Sequence, residues 1–212
     1  GQQIIVDEEY VTETFVINQI EFSYRQYEQT FTQPNFEINQ KMLNWAYRIT
    51  STCQGDLLEL YCGNGNFTLP MSNNFNRVIA TENSKRTIHA ARENVILNNI
   101  SNVDLVRMSA VEISEAMSQK RTFRRLSNLS QELTQYQLNT LLIDPPRSGL
   151  DSTSLNMAAD FQDIVYFSCN LGSFKKNMHE LGRSHKVEHF AIFDQFPLTP
   201  HIELGALLRK ID

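Results

Sequence analysis

From residue 56 onward, strand-sized apolar runs alternate with helix-sized amphipathic stretches, and this alternation constrains the fold more than any other feature. The predicted strands are 56–61, 77–82, 103–108, 140–144, 163–168, 186–193 and 202–209. The predicted helices between them are 67–75, 84–98, 111–118, 152–161 and 171–182. This pattern predicts an α/β fold with a mostly parallel sheet, right-handed crossovers and helices on both faces.

The connection between the last two predicted strands breaks the alternation. Residues 194–200 read Asp-Gln-Phe-Pro-Leu-Thr-Pro, which is too short and too rich in proline for a crossover helix. We therefore expect a seven-stranded sheet whose last strand runs antiparallel. Residues 120–139 resemble an irregular helical insertion, and nothing in their sequence indicates a role.

The first 35 residues differ from the rest of the chain, being rich in Gln, Glu, Thr and aromatic residues. The alternation over 21–27 is typical of a strand or of an extended approach to the core. Pro34 and Asn35 predict a helix start. We therefore divide the chain into a lead-in segment, 1–35, and one α/β domain, 36–212.

Composition limits the classes of protein that this chain can belong to. A chain of 212 residues with 41% hydrophobic content can bury one full α/β core. The net charge of −5 leaves no overall basic surface for nucleic acid, so any RNA-binding surface has to be local or lie elsewhere. No apolar run is long enough to span a membrane. The three cysteines, Cys53, Cys62 and Cys169, lack metal-ligand spacing, so we expect no metal and a reducing cytoplasmic location.

A glycine turn follows the first strand of the alternating region. Gly63 and Gly65 permit positive φ angles and the close approach of a ligand. Glu82 ends the next predicted strand, nineteen positions after Gly63, where a carboxylate can accept both hydroxyls of a ribose. The alternative is that Glu82 is an ordinary surface carboxylate.

The turn departs from the full dinucleotide pattern, because Asn66 and Phe67 stand where the later positions of Gly-x-Gly-x-x-Gly would be. An adenosine cofactor without phosphates, such as S-adenosylmethionine, therefore fits better. Tyr61 and Asn66 flank the glycines and are candidates to contact this cofactor. Both can equally be simple turn residues.

Asp144 ends another predicted strand and precedes two prolines. Pro145 and Pro146 stiffen the chain and keep Asp144 out of the helical region, so its carboxylate is held at the ligand crevice. Arg147 then offers a permanent cation for a carbonyl, a phosphate or a developing oxyanion. Alternatively, Asp144 caps the following turn and Arg147 pairs with it.

Cys169 follows the apolar run 164–167, where a parallel strand delivers its next side chains to the crevice. A thiol in that place can act as a nucleophile. The alternative is an inert buried cysteine, which is our interpretation of Cys53 and Cys62.

In this order, these segments resemble the bacterial RNA uracil-5-methyltransferase family, and most of all its tRNA (uracil-54, C5) branch. The resemblance runs from near residue 20 to the C-terminus. The matching segments are FTQPN (31–35), LLELYCGNGNF (57–67), ATE (80–82), DPPRSGLD (144–151), SCN (168–170), FDQFP (193–197) and HIE (201–203).

The resemblance implies a Rossmann-like, S-adenosylmethionine-dependent methyltransferase fold. It implies that Cys169 is the nucleophile and Glu203 the base. It also implies that five residues line the S-adenosylmethionine site, where S-adenosylhomocysteine is the product: Gln33, Tyr61, Asn66, Glu82 and Asp144.

The implied chemistry explains these residue types. Carbon 5 of uracil is a poor nucleophile until a thiolate adds to carbon 6; after methyl transfer, a carboxylate removes the carbon-5 proton and the thiolate leaves. We expect Arg147, or the N-terminus of helix 171–182, to lower the pKa of Cys169.

Two residues depart from the family: Leu171, and Leu204, which follows Glu203 where a cysteine is often found and should matter less. Leu171 follows Asn170 where a proline is usual, which frees an amide at the start of the helix. The family's RNA-binding region, which precedes the catalytic part, is not seen, so we expect residues 1–35 to be the remnant of a linker to it. We expect the partner to be tRNA, with a T-loop uridine as the target, the chain to be a monomer, and this chain alone to bind S-adenosylmethionine but modify tRNA poorly.

Three other functions remain open. The first is uracil-5 methylation of ribosomal RNA, because enzymes of that branch share the central motifs. The second is methylation of an amine or an oxygen, with Cys169 structural. The third is a non-catalytic RNA-binding or RNA-folding module that retains the cofactor pocket.

Overall fold

A computed structural model describes residues 9–28 and 30–211, and it contains a seven-stranded sheet and a two-stranded hairpin. The strands are β1 (Tyr10–Ile17), β2 (Ile20–Tyr27), β3 (Asp56–Leu60), β4 (Val78–Thr81), β5 (Val103–Val106), β6 (Leu138–Ile143), β7 (Asp163–Ser168), β8 (His185–Phe193) and β9 (Glu203–Lys210). The helices are α1 (Phe36–Thr50), α2 (Thr68–Met71), α3 (Lys85–Leu97), α4 (Ala110–Met117), α5 (Ser152–Ala158) and α6 (Leu171–Leu181).

The order of strands in the large sheet is β5-β4-β3-β6-β7-β9-β8. Neighbouring strands are parallel from β5 to β7, and β9 runs antiparallel to both β7 and β8. The predicted α/β fold with an antiparallel last strand is therefore confirmed. Because the carboxyl ends of the parallel strands meet at one edge, ligand-binding side chains are expected there.

All seven strands predicted from residue 56 onward are present, with small shifts at their ends. The helix predicted over 67–75 is much shorter, because it ends at Met71. Asparagine side chains compete with the helical backbone for hydrogen bonds. Asn74 illustrates this competition, since its Nδ2 donates to the carbonyl of Tyr47 at 2.8 Å.

Two apolar layers cover the sheet. One contains α1, α3 and the hairpin, and the other contains α4, α5 and α6. Successive side chains of β3 contribute to opposite layers, since Leu57 belongs to the first and Leu58 to the second. Among the described residues, no helix is both long enough and apolar enough to cross a membrane.

The hairpin β1–β2 lies within the predicted lead-in segment and packs on the first layer. Phe15 and Tyr24 are each at most 1% exposed. Two asparagines, one in α3 and one at its C-cap, hydrogen-bond the free edge of β2. Asn94 Oδ1 accepts from the backbone amide of Arg25 at 2.7 Å, and Asn98 Oδ1 accepts from that of Ser23 at 2.9 Å. The predicted extended segment 21–27 is thus a docked strand. Residues 1–8 lie outside the described residues, and the linker hypothesis stays a prediction.

The predicted insertion, 120–139, forms two short 3-10 helices and covers the edge strand β5. The backbone amide of Ser130 donates to Asp104 Oδ1 at 3.0 Å, and Tyr136 donates to the other oxygen of that carboxylate. Open sheet edges invite pairing with other chains. The insertion therefore has a structural role that its sequence did not indicate.

Candidate active site

One cavity of about 470 Å³ lies at the carboxyl ends of the parallel strands, and all seven predicted site residues line it. Pockets of this size hold small ligands. Its lining includes Gln33, Tyr61, Asn66, Glu82, Asp144, Cys169 and Glu203. A second groove of about 440 Å³, near the opposite strand ends, is lined by none of them.

The glycine turn that follows β3 forms one wall of this cavity. Tyr61 has a φ of 59° and Gly63 one of 58°, so both lie in the left-handed region. That region is uncommon for an aromatic residue, and such backbone strain is found at functional sites. Apart from Gly63 itself and its two chain neighbours, no atom of the described residues lies within 4 Å of the position that a Cβ of Gly63 would occupy. A ligand can therefore approach the backbone closely at Gly63.

The carboxylate of Glu82 is held by backbone amides. Its Oε2 accepts from Gly63 N at 3.3 Å, and its Oε1 accepts from Ser84 N at 2.7 Å. Each carboxylate oxygen has a further lone pair. The glycine turn thus orients a carboxylate that can still accept hydrogen bonds, and its predicted role in binding a ribose stays a prediction.

Asn66 pairs with a residue that sequence analysis did not single out. Asn39 Nδ2 donates to Asn66 Oδ1 at 2.9 Å, and Asn66 Nδ2 donates to Asn39 Oδ1 at 3.1 Å. The hydroxyl of Tyr24 also donates to the carbonyl of Asn66 at 3.0 Å. Asn39 lies one turn before Leu43 on the buried face of α1. A polar residue on that apolar face was the signal available in the sequence.

Gln26 is a second residue that sequence analysis missed. It lines the cavity and accepts a hydrogen bond from Asn64 in the glycine turn. It shares one face of β2 with Phe22 and Tyr24, which are both buried. The period-two pattern of the strand would therefore have placed it beside the core and the turn.

Asp144 receives a hydrogen bond from Gln33, whose Nε2 lies 3.5 Å from Asp144 Oδ2. Burial raises the pKa of Asp144 to about 7. Among the described residues, its side chain makes this bond with Gln33 rather than an ion pair with Arg147. The alternative in which Arg147 pairs with Asp144 is therefore wrong.

Cys169 and Glu203 lie side by side. Strands β7 and β9 pair antiparallel, with Ser168 opposite Leu204. Cys169 follows Ser168 and Glu203 precedes Leu204, so the two are neighbours, and both line the cavity. Glu203 is 3% exposed, and burial, followed by the charge of Asp144, raises its pKa to about 8. A carboxyl group with a pKa near the working pH is suited to act as a general base.

The expected lowering of the Cys169 pKa is wrong. Burial raises the pKa of this thiol, and the charges of Glu203 and Asp144 raise it further. The charge of Arg147 and its hydrogen bond with the thiol act in the opposite direction, but they do not outweigh desolvation and two carboxylates. The thiol therefore ionises less readily than an ordinary cysteine.

The other two cysteines are more deeply buried than Cys169. Cys53 and Cys62 are buried, and burial raises the pKa of Cys53 to about 12.

Leu171 does not disturb the start of α6, because Asn170 caps this helix by accepting from Ser173 N at 2.9 Å.

Solved structures share this fold. The Pyrococcus abyssi tRNA (uracil-54, C5)-methyltransferase in complex with S-adenosyl-L-homocysteine aligns with a TM-score of 0.67 and 23% identity, over 95% of this chain and 44% of that chain. The SAM-dependent methyltransferase from Agrobacterium tumefaciens aligns with a TM-score of 0.61 and 16% identity, over 94% and 69%. The fold is thus that of the Rossmann-like methyltransferases.

Comparison of the sequence with known families identifies one family among the Rossmann-like methyltransferases. The family model described as tRNA (Uracil-5-)-methyltransferase matches residues 1–211. The tRNA/tmRNA (uracil-C(5))-methyltransferases of Pseudoalteromonas atlantica and Neisseria meningitidis are each 49% identical to this chain over 99% of its length. The chain belongs to the tRNA (uracil-5-)-methyltransferase family, as the resemblance predicted. It spans 57% of the length of these two relatives.

Proposed function

We propose that this chain is the catalytic part of an enzyme that methylates carbon 5 of a uridine in RNA, with S-adenosylmethionine as the methyl donor. Cys169 forms a transient covalent bond with carbon 6 of the uracil. The observation that carries this proposal is the adjacency of Cys169 and Glu203 in a cavity whose other wall suits a nucleoside. Family membership favours tRNA as the substrate, with uridine 54 of the T-loop as the target.

The residues of the cavity fit S-adenosylmethionine. The oriented carboxylate of Glu82 suits the ribose hydroxyls, and the open space at Gly63 admits the nucleoside. Gln33, Asn66 and Asp144 provide polar groups for the methionine portion, and Tyr61 provides an aromatic face. When bound, this cofactor supplies an electrophilic methyl group and leaves as S-adenosylhomocysteine.

The residues of the chain perform the remaining chemistry. The Cys169 thiolate adds to carbon 6, and the electron pair of the carbon 5–carbon 6 double bond moves toward carbon 5 and the carbonyl. The cation of Arg147 stabilises the thiolate before addition. After carbon 5 is methylated, Glu203 takes its proton, the double bond re-forms and the carbon–sulfur bond breaks, which returns the thiolate.

The target base has to leave the stacked RNA to reach this cavity. The net charge of −5 gives this chain little electrostatic attraction for RNA. Most phosphate contacts therefore come from the part of the relatives that this chain does not span. The proposed enzyme acts as a monomer in the cytoplasm, and the 212-residue chain binds the cofactor but methylates tRNA poorly.

The test is covalent trapping with a T-loop hairpin RNA that contains 5-fluorouridine at the target position. Fluorine cannot leave as a proton, so the adduct persists and appears as a protein–RNA band on a denaturing gel. We expect the band with the wild-type chain and its loss in Cys169→Ala, whereas Cys53→Ala, which changes a buried cysteine outside the cavity, retains it.

A second variant separates addition from proton removal. Glu203→Gln accumulates the adduct with ordinary uridine, because the base is absent. Methylation of an amine or an oxygen by Cys169→Ala would refute the proposed chemistry. Faster trapping with a ribosomal RNA hairpin than with the T-loop hairpin would move the substrate to the ribosomal branch.

A further inference from the structure

Gln195 is a buried glutamine that does not line the cavity. It lies in the segment between β8 and β9 and is 2% exposed. Its Nε2 donates to Gln33 Oε1 at 3.2 Å and lies 3.0 Å from the sulfur of Met42. Its Oε1 is buried and has no hydrogen-bond partner among the described residues. A buried amide of this kind calls for an explanation, because an unsatisfied polar atom costs stability.

The bond to Gln33 determines which way the Gln33 amide points. An amide group has one accepting end and one donating end. Gln195 occupies the accepting end of Gln33, so the donating end faces Asp144, with Nε2 3.5 Å from Oδ2. The reversed amide would place Gln33 Oε1 against a carboxylate oxygen, which is repulsive when Asp144 is ionised.

These three side chains join two parts of the cavity that the chain supplies separately. Gln33 precedes α1 and Asp144 follows β6, and both line the part assigned to the cofactor. Gln195 is next to Phe196, which lines the cavity, and its segment leads into Glu203. A hydrogen-bonded chain thus runs from the segment before the base to the cofactor side.

A purely structural role does not account for Gln195. Burying an amide costs free energy that an apolar side chain of similar size would avoid, and its neighbour Met42 is apolar. Only one of its two polar ends is satisfied within the described residues, and that end is bonded to a cavity residue.

We propose that Gln195 is a positioning residue that holds the Gln33 amide with its donor toward Asp144, and thereby links the segment that carries Phe196 and Glu203 to the cofactor side of the cavity. It touches no reacting atom. The inference rests on the proposed function only for the identity of the ligand.

The first test is a double-mutant cycle read by calorimetric titration of the 212-residue chain with S-adenosylhomocysteine. Loss of one hydrogen bond that orients a ligand-binding group corresponds to roughly 10-fold weaker binding. We expect Gln195→Leu to weaken binding about 10-fold, and less than about 2-fold when Gln33 is already alanine, because the effect passes through Gln33. Equal losses in both backgrounds, or no loss in the wild-type background, would overturn the proposal.

Two further variants test whether a loss of affinity comes from the missing donor of Gln195 or from any change of a glutamine near the site. Gln195→Glu keeps the size of the side chain but replaces its donor with an acceptor, so binding is expected to weaken further as pH rises and the new carboxyl ionises. Gln40→Leu is the matched control, because Gln40 accepts from Val16 N at 3.0 Å outside the cavity. It is expected to leave affinity unchanged.

The second test needs no ligand and so remains informative if the wild-type chain does not bind S-adenosylhomocysteine, a result that would instead contradict the proposed function. The side-chain NH₂ signals of Gln33 in a ¹⁵N-correlated NMR spectrum are expected to shift as Asp144 ionises with its pKa of about 7. In Gln195→Leu that titration is expected to disappear. Its persistence would show that Gln33 keeps its orientation without Gln195.

Discussion

Cys169 and Glu203 are neighbours across an antiparallel strand pair, one residue beyond the pair formed by Ser168 and Leu204. This adjacency couples their ionisation. The charge of Glu203 is the largest electrostatic cause of the raised Cys169 pKa after burial. The charge of the proposed base therefore opposes the charged form of the thiol, and Arg147 acts against that effect.

The coupling predicts that removing the base makes the thiol more acidic. In Glu203→Gln, the pKa of Cys169 is expected to fall, because a neighbouring negative charge is lost. The measurement is thiolate absorbance in the ultraviolet against pH, in a chain whose Cys53 and Cys62 are replaced by alanine. An unchanged or higher pKa would contradict the coupling.

Removing the cation should have the opposite effect. In Arg147→Ala, the pKa of Cys169 is expected to rise further above its reference value of about 8.5, because both the charge and the hydrogen bond of the guanidinium are lost. Alkylation of Cys169 at a fixed neutral pH should slow accordingly. Arg183→Ala is the control, because Arg183 pairs with Glu180 on the surface. A rate unchanged in Arg147→Ala would remove Arg147 from the mechanism.

Stability should depend on pH through buried carboxyl groups. Glu59 is 1% exposed, and burial raises its pKa to about 8. Between an unfolded pKa of about 4.3 and this value, the native state binds more protons than the unfolded state, so the free energy of unfolding falls as pH rises. Asp144 and Glu203, with pKa values of about 7 and about 8, act in the same direction.

Replacing Glu59 with Gln therefore should flatten the decline in stability. Urea unfolding between pH about 5 and about 8.5 is expected to give a smaller slope for Glu59→Gln than for the wild-type chain. Glu37→Gln, in the first turn of α1 near the surface, is the control and should reproduce the wild-type slope. Parallel curves for Glu59→Gln and wild type would show that Glu59 has an ordinary pKa.

The amide pair behind the glycine turn predicts a residue that supports cofactor binding without lining the cavity. Asn39→Ala removes both hydrogen bonds to the side chain of Asn66, so affinity for S-adenosylhomocysteine should fall by roughly 10-fold. Asn73→Ala, at an exposed position, should leave it unchanged. Calorimetric titration distinguishes these outcomes. Wild-type affinity in Asn39→Ala would mean that Asn66 is held by its backbone alone.

Several features of the site could be read from local pattern. The glycine turn, the carboxylate of Glu82 and the thiol of Cys169 each follow a strand, and the carboxyl ends of parallel strands share one edge. The pairing of Asn39 with Asn66 could not be read in this way. It joins a helix to a turn 27 positions away, and only the packing of α1 against the sheet brings the two amides together.

The sequence by itself determined the order of the strands and helices from residue 56 onward and placed the glycine turn, Asp144 and Cys169 after strands, because hydrophobic periodicity and turn residues act over a few neighbouring positions. Only the tertiary structure decided the charge state of that site. The pKa of Cys169 depends on burial and on Glu203, Asp144 and Arg147, which come from different loops and strands. The effect of burial depends on how far water is excluded from the thiol, and the effect of the charges depends on their distance from it in space. Neither quantity follows from position along the chain.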